Sequence, residues 1–344
     1  MGDNLQVEAI VQALGWPVER KSLGWRKGGI GWSPLYGHKA PSLEPLTPEA
    51  RAGIAPPWPD LVVAIGWRSV PVVRWIARES GCRLVHIGRP RAPLRWFDLV
   101  LTTPQYGVPE AGNVLRLGGP LHRRTPEELA AAAEQWSDRL GHLPRPWTAV
   151  LLGGDAPPLR LTPEAAAELG EQVDRLAAAS GGSVLAAASP RTTQAALDAF
   201  LSRITVPSHH YAWGGPGENP YSGYLGLADA FVVTTDSISM AHEAAATGKP
   251  LHLFGLPSGG AWLLRAMQSA DRFLRGGPAA AAYERLIAGG WTYSPRDPTN
   301  YFASLLESGR AVRLGDPLPP RSEVQASGSD IEQAVAAVQA LMGE

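Results

Sequence analysis

The sequence predicts an α/β protein made of two Rossmann-like, doubly wound domains, each with a parallel sheet. Its 344 residues exceed what one ordinary hydrophobic core organises and fit two domains. Short runs rich in Val, Ile and Leu alternate with helix-length segments, which is typical of parallel sheets covered on both faces. Two prolines within 142–147 block a continued helix or central strand, so we predict domains 1–143 and 144–344.

The apolar runs are the predicted strands, and capping signals mark the helices between them. The predicted strands are residues 61–65, 84–87, 97–101, 114–117, 148–152, 184–188, 231–234 and 250–254. The predicted helices are residues 69–80, 125–140, 163–180 and 331–342. Thr125 and Glu128 form a capping-box pattern, and Thr162 with Pro163 opens the clearest helix. We expect the last helix to cross back to the first domain.

The N-terminus departs from the doubly wound pattern. Residues 2–6 indicate a loop that opens a helix over 7–14, and a strand should precede that loop. Either the translation start has been placed too late, or this domain lacks its first strand; the first explanation is the preferred hypothesis. A Gly-rich run at 27–31 lacks the spacing of a phosphate-binding Walker loop and predicts an ordinary loop.

Composition narrows the class of protein. Hydrophobic residues make up 44% and charged residues 18% of the chain, a globular balance. The single cysteine, Cys82, excludes an internal disulfide framework and a cysteine-based zinc site. There is no signal-peptide pattern and no apolar run of the roughly 18 residues that a bilayer crossing needs. We expect a cytoplasmic protein, with peripheral contact to the inner membrane as a further possibility.

Positive charge is concentrated in the first half. Residues 61–124 contain ten arginines, no lysine and three acidic residues, whereas the whole chain has a net charge of -1. This pattern indicates either a solvated arginine-rich surface or a face that meets an anionic acceptor or membrane surface. No aromatic-interleaved basic motif accompanies the charge, so a nucleic-acid partner is not expected.

The segment 231–250 is a strand, a polar turn, a helix and a return to strand. In open parallel sheets, ligands bind at the carboxyl ends of the strands, and the amides of a first helical turn favour a phosphate. The sequence therefore predicts a diphosphate site here, and its candidate residues are Thr235, Asp236, Ser237, Ser239 and Met240.

Glu243 lies four residues after Ser239 and shares its helix face. A carboxylate there can accept two hydrogen bonds from a ribose diol. Amides for the diphosphate and a carboxylate for the ribose are what a nucleotide requires. The alternative interpretation is a capped helix with an ordinary surface glutamate.

Further candidates follow the neighbouring strands. Gly153 and Gly154 allow close backbone approach to a ligand, or simply form a turn. Ser189 and Arg191 follow the next strand, where Arg191 can bind a phosphate or be a solvated side chain after a helix cap.

A Gly- and Pro-rich loop directly precedes the 231–250 segment. Its Asn219 and Tyr221 can line a base or sugar pocket, or the loop can be only a turn.

These motifs resemble the donor site of GT-B glycosyltransferases and non-hydrolysing nucleotide-sugar epimerases, in which a Glu at this position holds the ribose. More closely, the chain resembles bacterial members of the mitochondrial fission ELM family, a group of glycosyltransferase-like proteins. The matching pieces are residues 2–6, 59–69, 88–91, 97–100, 153–154, 217–221 and 229–243. Trp67 and Pro190 replace arginines usual in the family, which puts the anion contacts of those arginines in doubt.

The resemblance implies two GT-B domains facing a cleft, an acceptor-side N-terminal domain and a nucleotide-sugar-binding C-terminal domain. Asp3 is the candidate general base, although it can equally cap the first helix. The candidate acceptor-side residues are Arg68, Arg89 and Arg91. With no Asp-x-Asp run, neither a metal nor a cofactor is expected beyond the donor substrate. The alternatives are a scaffold without catalysis and a nucleotide-sugar epimerase; the oligomeric state is left open.

Overall fold

The structure is a computed structural model that describes residues 2–26, 36–122, 124–318 and 329–343, except for the side chains of Gly2 and Asp3. It divides into two compact units. Unit 1 comprises Met1–Arg123, Ala266–Asp297 and Ser327–Glu344, and unit 2 comprises Arg124–Arg265 and Pro298–Ala326. The Gly-rich run at 27–31 lies outside the described residues.

Helices and strands alternate along most of the chain. The helices are α1 (Gly2–Leu14), α2 (Pro48–Ala52), α3 (Val70–Ser80), α4 (Pro126–Leu140), α5 (Pro163–Ser180), α6 (Gln194–Leu201), α7 (Tyr221–Leu227), α8 (Ile238–Ala246), α9 (Trp262–Gly276), α10 (Ala280–Ala288), α11 (Pro298–Glu307) and α12 (Asp330–Met342). The strands are β1 (Leu61–Ile65), β2 (Arg83–Ile87), β3 (Leu99–Thr102), β4 (Val114–Arg116), β5 (Trp147–Leu152), β6 (Ser183–Ala188), β7 (Ser208–Tyr211), β8 (Ala230–Thr234), β9 (Leu251–Phe254) and β10 (Val312–Arg313).

Unit 1 contains a parallel sheet in the order β1-β2-β3-β4. One face packs on α1 and α12, where Ile10 and Val338 are fully buried, and the other packs on α3 through Val70 and Val73. The sheet is apolar on both sides because helices cover both faces. The predicted return of the last helix to the first domain is confirmed.

The predicted loop at residues 2–6 is wrong, because α1 begins at Gly2. Gly, Asp and Asn are well accommodated at a helix start, where the first N–H groups need no intrahelical partner. Ala9 and Ile10 then anchor the helix on the sheet.

Unit 2 contains a parallel sheet in the order β10-β9-β8-β5-β6-β7. Every residue of β5 and β6 is buried, as their apolar sequences require. One face packs on Trp136, Tyr224 and Tyr301 of α4, α7 and α11, and the other packs on α5 and α6. The two doubly wound parallel-sheet domains predicted from the sequence are thus confirmed.

The domain limits 1–143 and 144–344 stay a prediction. In the structure the chain passes between units at Arg123 and Arg124, so α4 belongs to unit 2, and α12 belongs to unit 1. The capping box at Thr125 and Glu128 is present at the start of α4. None of the described helices combines the length and apolar character required to cross a bilayer.

Candidate functional site

Three adjacent strands of unit 2 end in polar loops at one edge of the sheet. β5 lies between β8 and β6, and the three strands run parallel. Their carboxyl ends therefore bring together residues 153–154, 189–191 and 235–237. The structure thus gathers in one place the predicted residues that lie far apart in the sequence.

Asp236 is the centre of the hydrogen-bond network at this edge. Its side chain is 0% exposed. The carboxylate accepts from Thr234 Oγ1 at 2.7 Å, from the Gly154 N–H at 2.8 Å and from Arg191 Nη2 at 2.9 Å. Because Thr234 Oγ1 also accepts from the Gly153 N–H at 2.8 Å, the ends of β8 and β5 are fastened together.

The glycine pair after β5 is required by the protein's own packing. A Cβ at Gly153 would lie 2.0 Å from the Asp236 carboxylate, and one at Gly154 would lie 2.0 Å from the Arg191 carbonyl oxygen. Any larger residue would displace these neighbours. The close approach that the sequence suggested is therefore made to Asp236 and to the Arg191 backbone.

The first turn of α8 leaves backbone donors free. Ser237 precedes the helix and its side chain makes no capping bond. The N–H groups of residues 238–240 have no acceptor among the residues that the structure describes. Ser239 is exposed beside them. A helix N-terminus with free amides attracts negative charge.

One turn further along α8, Glu243 is held by two partners. Its Oε2 accepts from Tyr221 Oη at 2.7 Å and from Arg124 Nε at 3.1 Å. The Arg124 guanidinium also lies 4.9 Å from the centre of the Tyr221 ring and donates to Ser222 Oγ at 3.2 Å. Burial, followed by the Glu243 charge, raises the pKa of Tyr221 well above its ordinary value, so Tyr221 is a hydrogen-bond donor here.

Several predicted residues serve mainly the local structure. Ser189 Oγ donates to the Gly153 carbonyl oxygen at 3.0 Å. Thr235 Oγ1 accepts from the Leu256 N–H at 3.0 Å, and Asn219 Oδ1 accepts from the Tyr221 N–H at 3.0 Å. Met240 packs partly buried against the core.

The remaining predicted residues lie in unit 1. Arg68 follows β1, whereas Arg89 and Arg91 follow β2. Asp3 lies in the first turn of α1, not in a loop as the sequence suggested, and its side chain is outside the described part of the structure.

Sequence reasoning missed Arg124 as a site residue. Arg124 contacts Glu243 across 119 positions of sequence, and no local sequence pattern predicts such a contact.

Fold and site together define an α/β protein with two parallel-sheet units and a candidate anion site at a strand-to-helix junction. The family model described as Mitochondrial fission ELM1 matches residues 1–308. The chain belongs to this family.

Two relatives are similar in sequence. Mitochondrial fission protein ELM1 of Arabidopsis thaliana is 27% identical over 281 residues, which cover 74% of this chain and 65% of that protein. Uncharacterized protein RP120 of Rickettsia prowazekii is 21% identical over 234 residues, which cover 58% of this chain and 66% of that protein. The matches thus span just under two thirds of both relatives.

Solved structures of glycosyltransferases and epimerases resemble the chain at low sequence identity. A putative UDP-N-acetylglucosamine 2-epimerase from Listeria monocytogenes has a TM-score of 0.43 and 11% identity, covering 83% of this chain and 75% of that one. A glycosyl transferase family 9 protein from Veillonella parvula has a TM-score of 0.34 and 10% identity, covering 82% of this chain and 96% of that one.

Proposed function

We propose that this protein transfers a sugar from a nucleotide-diphosphate donor to an acceptor, with the donor bound at the start of α8. The observation that carries the proposal is the set of free N–H groups at residues 238–240, at the carboxyl edge of a parallel sheet. The resemblance of residues 229–243 to the donor sites of GT-B glycosyltransferases implies the same class of substrate.

The amides at the start of α8 would stabilise the diphosphate as it leaves the sugar. In the transfer, an acceptor hydroxyl oxygen attacks the anomeric carbon, the bond from that carbon to the diphosphate oxygen breaks, and the charge develops on the diphosphate. The fixed amide dipoles need no reorganisation because Asp236 holds the preceding turn through Thr234 and Gly154. Arg191 lies at the same edge and its side chain is 45% exposed, so it can add a charged donor.

Glu243 would bind the ribose with the oxygen that the protein leaves open. Tyr221 and Arg124 both engage Oε2, whereas Oε1 has no hydrogen-bond partner among the described residues. Two partners on one oxygen fix the orientation of the carboxylate. The other oxygen can then accept from a ribose hydroxyl.

Placing a negative charge in the proposed diphosphate site tests the proposal. Ser239→Glu should lower the affinity for nucleoside diphosphates at least about tenfold, since like charges repel at the site while the helix itself tolerates an acid in its first turn. Isothermal titration with UDP, GDP, ADP and CDP measures this. The matched control is Ala246→Glu, which adds the same charge to the exposed last turn of α8. Equal affinity of Ser239→Glu and wild type would refute the site.

The ribose role has a separate test. Glu243→Gln should weaken nucleoside diphosphate binding about tenfold, the worth of one charge-assisted hydrogen bond, and leave inorganic pyrophosphate binding unchanged. An equal loss for both ligands would show that Glu243 acts on the fold of the site and not on the ribose.

The acceptor chemistry is proposed on the same basis. Asp3 would take the proton of the acceptor hydroxyl. Asp3→Asn should then abolish sugar release to an acceptor without changing nucleotide affinity, whereas unchanged release would exclude Asp3. The protein would act in the cytoplasm, at the membrane surface when its acceptor is a lipid.

One observation favours a scaffold as the second candidate. The network around Asp236 satisfies its polar side chains without any ligand, and Glu243 Oε2 already has two partners. Thermal shift with nucleotide sugars separates the candidates. No shift with any of them favours the scaffold, and a changed sugar configuration without acceptor favours an epimerase.

A further inference from the structure

The loop after β2 carries two arginines at the carboxyl edge of the unit 1 sheet. Gly88 has φ 88°, which turns the chain out of the strand, and Arg91 has φ 52°, a conformation that non-glycine residues rarely adopt. Such a backbone conformation costs free energy and persists only where the surroundings hold it. The loop is therefore built to place the Arg91 side chain, and its neighbour Arg89, at this edge.

Both guanidinium groups contain buried atoms without hydrogen-bond partners. Arg89 Nη1 and Arg91 Nε are shielded from solvent, and neither has an acceptor among the described residues. Burial, followed by the charge of Arg91, lowers the pKa of Arg89 to about 10, still well above neutral pH. Each guanidinium thus has one buried nitrogen that lacks an acceptor among the described residues, which is costly in a folded protein.

Aromatic rings hold these side chains without using their N–H groups. The Arg91 guanidinium lies 4.0 Å from the centre of the Tyr293 ring and 5.0 Å from that of Trp67. The Arg89 guanidinium lies 4.9 Å from the centre of the same Tyr293 ring. Cation–π contacts engage the face of the guanidinium and leave its donors available for an oxygen ligand.

The surrounding charge is positive. Arg296, on the segment that carries Tyr293, further lowers the pKa of Arg89, and within the described part of the chain no carboxylate acts on that group. Arg68 is exposed and lies 5.5 Å from the centre of the Trp67 ring. Two acids of this unit are paired with other arginines: Asp98 binds Arg83 and Asp297 binds Arg272.

The segment 36–38, which packs on the backbone of the arginine loop, carries two more buried polar atoms. Tyr36 Oη and His38 Nε2 are buried and have no partner among the residues described. Tyr36 packs edge-on against Trp67, with ring centres 5.1 Å apart, and a Cβ at Gly37 would lie 1.9 Å from the Arg91 carbonyl oxygen. The segment 36–38 is thus in direct contact with the arginine loop.

We infer that Arg89 and Arg91 form a binding site for a phosphoryl group in unit 1. A phosphate monoester carries close to two negative charges and three strong acceptor oxygens, which match two guanidinium forks better than a single carboxylate does. Every residue that forms it belongs to unit 1, whereas the residues of the proposed nucleotide site belong to unit 2. The phosphoryl group can belong to a lipid headgroup or to a water-soluble ligand.

The test compares wild type with the variant Arg89→Met/Arg91→Met at constant ionic strength. Replacing chloride by inorganic phosphate should raise the melting temperature of wild type more than that of the variant. The matched control is Arg95→Met, an exposed arginine in the same segment, which should respond like wild type. General salt effects of phosphate act on all three proteins and cancel in the comparison. The measurements are repeated with Ser239→Glu added, so that phosphate bound at α8 does not contribute.

In chloride, the double variant should melt no lower than wild type, because Met keeps an apolar contact with the rings and removes two buried nitrogens that lack acceptors among the described residues. A lower melting temperature together with an unchanged response to phosphate would overturn the site and assign the arginines to packing. If the double variant does not fold, the test uses Arg91→Lys, which keeps the charge but lacks the planar guanidinium. This variant should lose at least half of the phosphate-specific rise in melting temperature. A full rise would overturn the site.

Vesicle flotation distinguishes the sources of the phosphoryl group. Wild type should bind phosphatidylcholine vesicles that contain phosphatidate, and the double variant should not, when the ligand is a lipid headgroup. Equal failure of both to bind, with the phosphate shift retained, assigns the site to a soluble phosphate. Equal binding by both would show that the membrane contact does not use this site.

Discussion

The carboxyl edges of the two sheets differ in which polar groups lack a partner among the described residues. In unit 2, Asp236 accepts from Thr234, Gly154 and Arg191, and the backbone N–H groups at the start of α8 have no acceptor. In unit 1 the side chains of Arg89 and Arg91 are themselves left without acceptors among the described residues. The first arrangement adds stability, whereas buried guanidinium atoms without an acceptor lower it. At the same position in the same kind of sheet, the groups without a partner are therefore main-chain groups in one unit and side-chain groups in the other.

The largest expected effect comes from breaking the packed edge of unit 2. Gly154→Ala should lower the free energy of unfolding by about 3 kcal/mol, since its Cβ would meet the Arg191 backbone. Chemical denaturation measures it. The control is Gly255→Ala, at the end of β9, where a Cβ meets nothing within 4 Å and the change should stay within about 0.5 kcal/mol. Equal effects would mean that the edge is not tightly packed.

The next largest effect is a loss of stability in unit 1 at acidic pH. Burial lowers the pKa of His86 to about 4, against 6.5 for a free histidine. The folded state then binds fewer protons than the unfolded state, so stability is complete above pH 6.5 and falls as the pH drops towards 4. When the pH is lowered from neutral to about 4.5, protonation of His86 should reduce the free energy of unfolding by about 2 to 3 kcal/mol.

His86→Leu should remove this part of the pH dependence, measured by denaturation at both pH values. His210→Gln, at an exposed histidine, should leave it in place. A wild-type slope that survives in His86→Leu would assign the acid sensitivity of the fold to other groups.

A smaller effect tests whether Asp236 is the centre of its network. Asp236→Asn should lower the free energy of unfolding by about 2 kcal/mol, because it removes a charged acceptor of hydrogen bonds from Thr234, Gly154 and Arg191. Arg191→Met should cost less than about 1 kcal/mol, because that side chain is 45% exposed and solvent screens the pair. A larger loss of stability for Arg191→Met than for Asp236→Asn would show that Arg191, and not Asp236, holds the network together.

The smallest effect separates structure from binding at Asn219. Asn219→Ala should lower the free energy of unfolding by about 1 kcal/mol, because the Asn219 side chain accepts a hydrogen bond from the Tyr221 N–H at the start of α7. Nucleoside diphosphate affinity, measured by titration, should not change. A clear loss of affinity at unchanged stability would instead place Asn219 in contact with the ligand.

Much of the fold was predictable because local chemistry specified it. The apolar runs marked the central strands, and the capping box at Thr125 marked α4, since both depend on nearest neighbours in sequence. Two strands escaped prediction. β7 is a polar edge strand, Ser208–Tyr211, with exposed residues, and β10 has only the two residues Val312–Arg313. Neither strand needs the apolar pattern of a central strand.

The sequence by itself determined the class of fold and predicted a diphosphate site after β8, because a strand, a polar turn and a helix follow one another in consecutive residues. Only the tertiary structure decided which side chains are satisfied. Arg124 reaches Glu243 over 119 residues, and Arg89 is left without an acceptor among the described residues although the sequence shows only one arginine among many. Hydrogen-bond satisfaction depends on every group that packs around an atom, and that environment is assembled from distant parts of the chain.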